Sequence, residues 1–175
     1  MSIMYQLSTE RLILRPFSLS DAEQVQRLAG YAKLAEFTLN IPHPYLDGMA
    51  EAWISSHEQS WQSDRGYTFA MTLTDSGKLI GCISLSRRPD NEAEVAYWVG
   101  VPYWGKGYCT EATKMMIQFA FEQLGLQRVT GLHLTRNPAS GSVMKKAGMI
   151  YGGLFNKTVI KNGQRESLVF YSIDA

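Results

Sequence analysis

A short glycine loop is the part of the sequence whose residue types point most directly to chemistry. Gly105, Lys106 and Gly107 lie between an apolar, strand-like run and a long segment with helical spacing. Such a loop presents backbone N–H groups at a helix start, where the helix dipole adds a partial positive charge. Because glycine allows a ligand to approach the main chain closely, the loop suits a phosphate or pyrophosphate. The alternative interpretation is a tight strand-to-helix turn that binds nothing.

Two common nucleotide-binding motifs do not fit this loop, and no metal motif is present. A P-loop requires GxxxxGK[ST], whereas Lys106 is followed by glycine. A Rossmann fingerprint requires GxGxxG, and position 110 is Thr. The cysteines, Cys82 and Cys109, and the three histidines lack the spacing of a metal site. We therefore expect no metal.

Composition narrows the class of protein. Lys and Arg total 17 and Asp and Glu total 16, a formal net charge of +1, and the basic residues form no run. Proteins that bind a nucleic-acid backbone usually carry a basic patch, so we expect no nucleic-acid partner. No apolar stretch could span a bilayer and no signal peptide is evident, which predicts a cytoplasmic protein without a membrane partner. The length predicts a single domain over residues 1–175.

Hydrophobic periodicity predicts the elements that position the loop. Strand patterns cover 10–16, 67–73, 79–86, 94–101, 127–135, 154–161 and 165–173. The first helical pattern begins with a cap at Ser20, and the second covers 47–62. The third runs from the glycine loop to about Leu124, and the fourth runs from Pro138 to before Gly148. The segment 31–46 is irregular. Strand 94–101 connects to strand 127–135 through the long helix, which predicts one parallel crossover. The sequence therefore predicts a mixed α+β fold.

The glycine loop and its neighbours resemble the GNAT superfamily of N-acetyltransferases. The superfamily's coenzyme A signature is Gln/Arg-x-x-Gly-x-Gly/Ala, and the corresponding run here is Trp104-Gly-Lys-Gly-Tyr-Cys109. Gly107 matches, Trp104 replaces the polar Gln/Arg, and Cys109 replaces Gly/Ala. The blocks AEVAYWVGVPYWGKGYCTEA, TERLILRPFSLSDA and Asn137-Pro-Ala-Ser140 resemble the RimJ/RimL-type branch, which includes ribosomal-protein N-terminal acetyltransferases. This resemblance covers essentially the whole chain.

The resemblance implies a fold and a co-substrate. The GNAT fold has a central, mostly antiparallel, twisted sheet of about seven strands with one parallel splayed pair, flanked by about four helices. Acetyl-CoA is the expected co-substrate, with its pantetheine alongside strand 94–101 at Val99 and Val101. The amides of Gly105, Lys106, Gly107 and Cys109 are expected to bind the pyrophosphate. Asn137 is expected either to hydrogen-bond the pantetheine arm or to cap the following helix.

The resemblance also assigns a base and an acid for direct acetyl transfer to an amine. Glu94 matches a base glutamate of the histone-acetylating branch, and a carboxylate can remove the ammonium proton, often through water. Its alternative role is that of an ordinary charged residue at a strand end. Ser140 matches the serine proposed as general acid in the ribosomal branch, or is simply a serine in a first helical turn. Tyr108 and Tyr151 are substitutes for the acid.

The acceptor is left open by the sequence. A protein N-terminal α-amine and a small-molecule amine both fit, and a homodimer is possible on the family pattern. Phe37, Tyr45, Trp53 and Trp98 are candidates for the acceptor pocket, although core packing is the favoured interpretation for each taken alone. Few acids occur in 31–65, which argues weakly against highly cationic acceptors. A non-catalytic acyl-CoA sensor of the same fold is the alternative function.

Overall fold

One eight-stranded sheet organises the computed structural model, which describes residues 4–175. The strands are β1 (Leu7–Ser8), β2 (Leu12–Pro16), β3 (Gly66–Leu73), β4 (Leu79–Arg88), β5 (Glu92–Val99), β6 (Arg128–Leu134), β7 (Ile150–Lys161) and β8 (Gln164–Asp174). Their order in the sheet is β1-β2-β3-β4-β5-β6-β8-β7. Every neighbouring pair is antiparallel except β5 and β6. The predicted mixed fold with one parallel pair is confirmed.

The described residues contain six α-helices, which cover both faces of the sheet. They are α1 (Ala22–Ala29), α2 (Ala32–Phe37), α3 (Met49–Ser55), α4 (His57–Gln62), α5 (Tyr108–Glu122) and α6 (Pro138–Lys146). Helix α5 buries Met116, Phe119 and Ala120 in the larger core cluster. On the other face, α1 and α3 bury Val25 and Ile54 in a smaller cluster. Among the helices described, none has the length and apolar character needed to cross a membrane.

Several elements differ from the sequence-based prediction: the segment 31–46, predicted to be irregular, contains α2, and the strand predicted over 94–101 is β5, which covers Glu92–Val99. The helix predicted over 47–62 is divided at Ser56, whose hydroxyl donates to the Trp53 carbonyl oxygen at 2.6 Å. A hydroxyl that bonds back to the main chain competes with helical hydrogen bonds, which explains the break. The first helix follows a 3-10 turn capped at Ser18 rather than Ser20. Strand β7 begins at Ile150, four residues before the predicted start, and two register shifts disturb its alternation.

Strands β5 and β6 pair over only half of β5. Their register ends at Val95 opposite Gly131. Strand β5 nevertheless continues to pair with β4 as far as Val99. The two parallel strands therefore separate, as predicted for the splayed pair, and leave a gap beside the second half of β5.

The edge of β5 at this gap carries unpaired backbone groups. The Gly100 N–H donates to the Ile80 carbonyl oxygen at 2.8 Å, so Gly100 and Ile80 form a hydrogen-bonded pair that continues the β4–β5 ladder. Because hydrogen-bonded pairs alternate in an antiparallel ladder, the backbone groups of Tyr97 and Val99 point away from β4 and into the gap. The fold thus offers an open strand edge next to the glycine loop.

Candidate active site

The gap between β5 and β6 opens into a cavity of about 1140 Å³. Successive side chains of a strand point to opposite faces, so β5 contributes to both sides of this cavity. On the side that packs against α3 lie Glu94, Ala96 and Trp98, and on the side that packs against α5 lie Val95, Tyr97 and Val99. We call these the α3 side and the α5 side.

The cavity brings together all the predicted site residues except one. Its wall includes Glu94, Val99, Gly105, Lys106, Gly107, Cys109, Asn137 and Ser140. Val101 is not part of the wall; β5 ends at Val99, and Val101 begins a 3-10 turn over Val101–Tyr103. The placement of Val101 on the strand edge is therefore wrong. Its carbonyl oxygen accepts the Trp104 backbone N–H at 3.2 Å, which tightens the chain into that turn.

The glycine loop adopts a backbone conformation that favours glycine at two positions. Gly105 has φ +72° and Gly107, the residue before α5, has φ +82°. An L-residue in this left-handed region places its Cβ too close to a backbone oxygen. Helix α5 starts immediately afterwards, and the N–H groups of its first turn have no helical acceptor. These N–H groups and the helix dipole form an anion-binding position at the mouth of the cavity.

Glu111 anchors this helix start to the β1–β2 connection. Its carboxylate accepts from the Thr9 hydroxyl at 2.6 Å, from the Arg11 backbone N–H at 2.8 Å and from the Arg11 guanidinium at 2.7 Å. Arg11 also donates to the Lys106 carbonyl oxygen at 2.9 Å. Burial acts to raise the pKa of the Glu111 carboxyl, but the hydrogen bonds outweigh it and the pKa is lowered. An ionised carboxylate therefore holds the loop in place.

The half-buried Glu94 places a carboxylate in the wall on the α3 side. Its side chain is 23% exposed, and it accepts from the Arg88 guanidinium at 2.9 Å. The second oxygen makes no hydrogen bond to the residues described. A carboxylate with one free oxygen beside a cavity can accept a proton from a group bound there.

Ser140 faces the other side of the gap and forms a pair with Tyr97. The Tyr97 hydroxyl oxygen lies 2.8 Å from the Ser140 hydroxyl oxygen and 3.0 Å from the Ser140 carbonyl oxygen, so its single proton can be donated to either acceptor. Burial raises the pKa of the Tyr97 hydroxyl, which therefore remains protonated. Sequence reasoning missed Tyr97 because an aromatic residue in an apolar strand suggests core packing. Only the separation of β5 from β6 in the structure shows that Tyr97 lies in the cavity wall beside Ser140.

Trp104, which replaces the Gln/Arg of the signature, makes a polar contact of its own. Its indole N–H donates to the Val99 carbonyl oxygen at 2.7 Å. One of the backbone acceptors on the open edge of β5 is thus already occupied. The Val99 N–H and the backbone groups of Tyr97 remain for a ligand.

Asn137 and Cys109 occupy opposite ends of the wall on the α5 side. Asn137 stands at the N-cap position of α6, but its side chain makes no capping bond; its amide donates instead to the Phe37 carbonyl oxygen at 3.2 Å. The alternative of a side-chain cap is therefore wrong. Cys109 lies in the first turn of α5, and burial raises the pKa of its thiol to about 12. A thiol with that pKa is a poor nucleophile near neutral pH.

The C-terminal end of α2 closes the cavity over the gap. Three successive carbonyl oxygens there have no partner within the helix and accept hydrogen bonds from the β6–α6 connection and from β7. The pairs are Glu36 with Arg136 at 2.7 Å, Phe37 with Asn137 at 3.2 Å, and Thr38 with the Lys161 ammonium. Within residues 4–175, no group of three His, Cys, Asp or Glu side chains is placed to hold a metal ion.

Comparison with known proteins shows which family this chain belongs to. The family described as the acetyltransferase (GNAT) domain matches residues 11–150. The uncharacterized N-acetyltransferase YnaD of Bacillus subtilis (strain 168) is 27% identical over 169 residues, which cover 95% of each chain.

Two solved structures share the fold. The ribosomal-protein-S5-alanine acetyltransferase from Vibrio fischeri has a TM-score of 0.82 at 23% identity, covering 97% of this chain and 96% of that one. The ribosomal L7/L12 alpha-N-protein acetyltransferase RimL, in complex with coenzyme A, has a TM-score of 0.88 at 15% identity, covering 97% and 98%. The chain therefore belongs to the GNAT acetyltransferase family and is an acetyl-CoA-dependent N-acetyltransferase.

Proposed function

We propose that this protein transfers the acetyl group of acetyl-CoA directly to a primary amine that enters from the α3 side. The observation that carries this proposal is the division of the cavity by β5. A carboxylate, Glu94, stands on one side of the gap, and the hydroxyl pair of Ser140 and Tyr97 stands on the other. A thioester lying in the gap would meet an amine activated by Glu94, while its sulfur faced Ser140.

The coenzyme fits the α5 side and the glycine loop. The pyrophosphate would accept hydrogen bonds from the backbone N–H groups of 105–109, and the ammonium groups of Lys106 and Lys146 line the same cavity. The pantetheine would lie along the open edge of β5 and pair with Tyr97 and Val99 as an added strand does. A β5 N–H aimed at the thioester oxygen would stabilise the negative charge that develops there.

The chemistry requires two proton movements around one bond exchange. Glu94, directly or through water, removes a proton from the acceptor ammonium, because only the neutral amine is nucleophilic. The amine nitrogen then attacks the thioester carbon, the C–N bond forms, and the C–S bond breaks. The nitrogen then loses its second proton and the departing thiolate takes up one proton, which leaves an amide and a free thiol, while the proton on Glu94 returns to the solvent. With the Tyr97 hydroxyl donating to Ser140 Oγ, the Ser140 hydroxyl donates a hydrogen bond to the departing sulfur. The acceptor is the α-amine of a protein N-terminus or the amine of a small molecule.

Substitution of Glu94 tests this assignment, with Glu92 as the matched control. Glu92 lies two residues earlier on the same face of β5, pairs with Arg128 at 3.5 Å, and is outside the cavity wall. Glu94→Gln should lower kcat/KM by about 10²–10⁴-fold, because it removes the proton acceptor. Glu92→Gln should leave kcat/KM close to that of the native protein. Both are measured as amine-dependent thiol release from acetyl-CoA at about pH 8.

Three results would contradict the proposal in different ways. If Glu94→Gln and Glu92→Gln have equal rates, Glu94 is not the base. If no amine in a broad panel causes the native protein to release thiol from acetyl-CoA, the protein is not a transferase for these acceptors. Thermal stabilisation by acetyl-CoA together with that lack of turnover would identify an acyl-CoA sensor instead.

A further inference from the structure

The α3 side of the cavity, where the acceptor enters, is apolar and aromatic. Its side chains include Tyr45, Met49, Trp53 and Trp98. Trp53 is fixed by edge-on contacts with Phe17 and His57, at ring-centroid distances of 4.9 and 4.4 Å. This wall offers a large apolar contact area, and aromatic contacts add directional preference for a bound group.

Acidic side chains are scarce in this cavity. Among the described residues that line it, Glu94 is the only carboxylate, and it is already paired with Arg88. The neutral hydroxyls of Thr68 and Ser84 are the polar groups that β3 and β4 contribute. An acceptor that carried a second ammonium group would find no second carboxylate in this wall.

Cations outnumber acids around the same cavity. Four cationic side chains line it, namely Lys33, Lys106, Arg136 and Lys146. Arg136 is balanced by Glu36 at 3.8 Å and Glu166 at 2.9 Å, whereas Lys33 is exposed and lies over the Trp104 ring. The excess of positive charge around the cavity suits an anionic coenzyme and disfavours a polycation, because burying a charge without a partner is unfavourable.

We infer that the acceptor is a primary monoamine with an apolar aliphatic or aromatic body, and not a polyamine. This inference rests on the proposed acetyl transfer and specifies its substrate class. The single amine is held next to Glu94, and the rest of the molecule contacts the aromatic wall. Specificity arises from two features together: the apolar area attracts the body, and the lack of a second carboxylate excludes a second ammonium.

Hexylamine and 1,6-diaminohexane provide a matched pair of probes. They have the same length and the same reacting group, and they differ by one terminal ammonium. Acetyl transfer from acetyl-CoA at about pH 8 should show a kcat/KM for hexylamine at least about 10-fold above that for the diamine. This difference should persist although the diamine has two reactive ends.

A variant of the wall tests whether charge sets this preference. Ser84 lies on β4 directly opposite Ala96 on the α3 side, and has no role in the proposed chemistry. Ser84→Asp should raise the diamine-to-hexylamine ratio of kcat/KM by about 10-fold, because it supplies the missing carboxylate. Ser84→Asn, of similar shape without the charge, should leave the ratio unchanged. The comparison of the two amines on the native protein stands even if a variant fails to fold.

The outcomes separate this inference from the function it rests on. If the native protein acetylates the diamine as well as or better than hexylamine, the inferred acceptor class is wrong and acetyl transfer stands. An equal change of ratio in Ser84→Asp and Ser84→Asn would also contradict it, because charge would then not be the cause. If the native protein acetylates neither of these amines nor any other amine of the panel, the proposed function fails and takes the inference with it.

Discussion

Tyr97 and Ser140 show how much of the site depends on single hydrogen bonds. The Tyr97 hydroxyl can donate its single proton to the Ser140 carbonyl oxygen or to the Ser140 hydroxyl oxygen, and either bond fixes the first turn of α6 against β5. The same hydroxyl group contacts the Ser140 side chain and restricts its rotamer. Tyr97 is therefore a positioning residue whose raised pKa keeps it neutral, while Ser140 is the group that would face the leaving sulfur.

Removing the Tyr97 hydroxyl should affect turnover more than coenzyme binding. We expect Tyr97→Phe to lower kcat by about 10-fold, the effect of losing about 1.4 kcal/mol of transition-state stabilisation, with KM for acetyl-CoA nearly unchanged. Ser140→Ala should lower kcat by a similar or larger factor, and the double variant should be no slower than Ser140→Ala alone. The exposed Tyr151→Phe is the control. Additive losses in the double variant would show that the two residues act independently.

At the scale of the elements, the glycine loop and α5 were predictable and α2 was not. Apolar spacing along α5 and the glycines before it are local signals, so the sequence contains them. Helix α2 has only six residues, and its C-terminal carbonyl oxygens are held by Arg136, Asn137 and Lys161, about a hundred residues or more away. A short helix stabilised by such distant contacts leaves little local pattern.

In the proposed mode of coenzyme binding the left-handed conformation at Gly107 positions the phosphate-binding N–H groups, and Gly77 provides a control for it. Both have positive φ, +82° and +70°, but Gly77 lies in the β3–β4 turn, away from the cavity. Alanine at either position should cost about 1–2 kcal/mol of stability, measured by thermal unfolding. Only Gly107→Ala should also raise KM for acetyl-CoA by several-fold, because strain at this positive φ would displace the neighbouring N–H groups that are proposed to bind the phosphates.

Equal KM values for Gly107→Ala and Gly77→Ala would contradict this account of the loop. Equal values would show that the backbone conformation at Gly107 serves only the strand-to-helix turn, which was the alternative interpretation of the sequence. A loss of stability in Gly107→Ala without any loss in Gly77→Ala would instead implicate the contact with Arg11, whose guanidinium would lie 3.4 Å from the new Cβ.

Across the whole molecule, stability and the site are joined through Glu111. Thr9 and Arg11, which lie in the β1–β2 connection, form a single hydrogen-bonded unit with Glu111 in the first turn of α5. The residue types were visible in the sequence, but their contact across about a hundred residues was not. In the same way, the sequence allowed Glu94 and Ser140 to be proposed as site residues. Only the structure of the splayed sheet shows that they lie on opposite sides of one gap.

The pH dependence of unfolding should reveal this unit. The pKa of Glu111 is lowered in the folded protein, so its contribution is present above the ordinary carboxyl pKa and is lost as the pH falls through the folded value. Glu111→Gln should lower the free energy of unfolding by about 2 kcal/mol at pH 7, and by much less near pH 3. Glu23→Gln, in an exposed pair with Arg27, should change it by only a few tenths of a kcal/mol. A constant loss for Glu111→Gln at both pH values would show that its charge is not involved.

We propose that the acetyl group passes directly from acetyl-CoA to the amine across the gap, and intact-protein mass spectrometry combined with thiol detection distinguishes this route from one through an acetylated enzyme. The alternative route would pass through an acetyl-enzyme on one of the two cysteines in the cavity wall, Cys82 or Cys109. Burial raises the pKa of both thiols, which argues against that route. Protein mixed with acetyl-CoA alone should keep its unmodified mass and release almost no thiol, and adding hexylamine should produce thiol and acetylated amine in equal amounts. A protein that gains one acetyl group on Cys82 or Cys109 before any amine is added, and passes it to the amine afterwards, would contradict direct transfer.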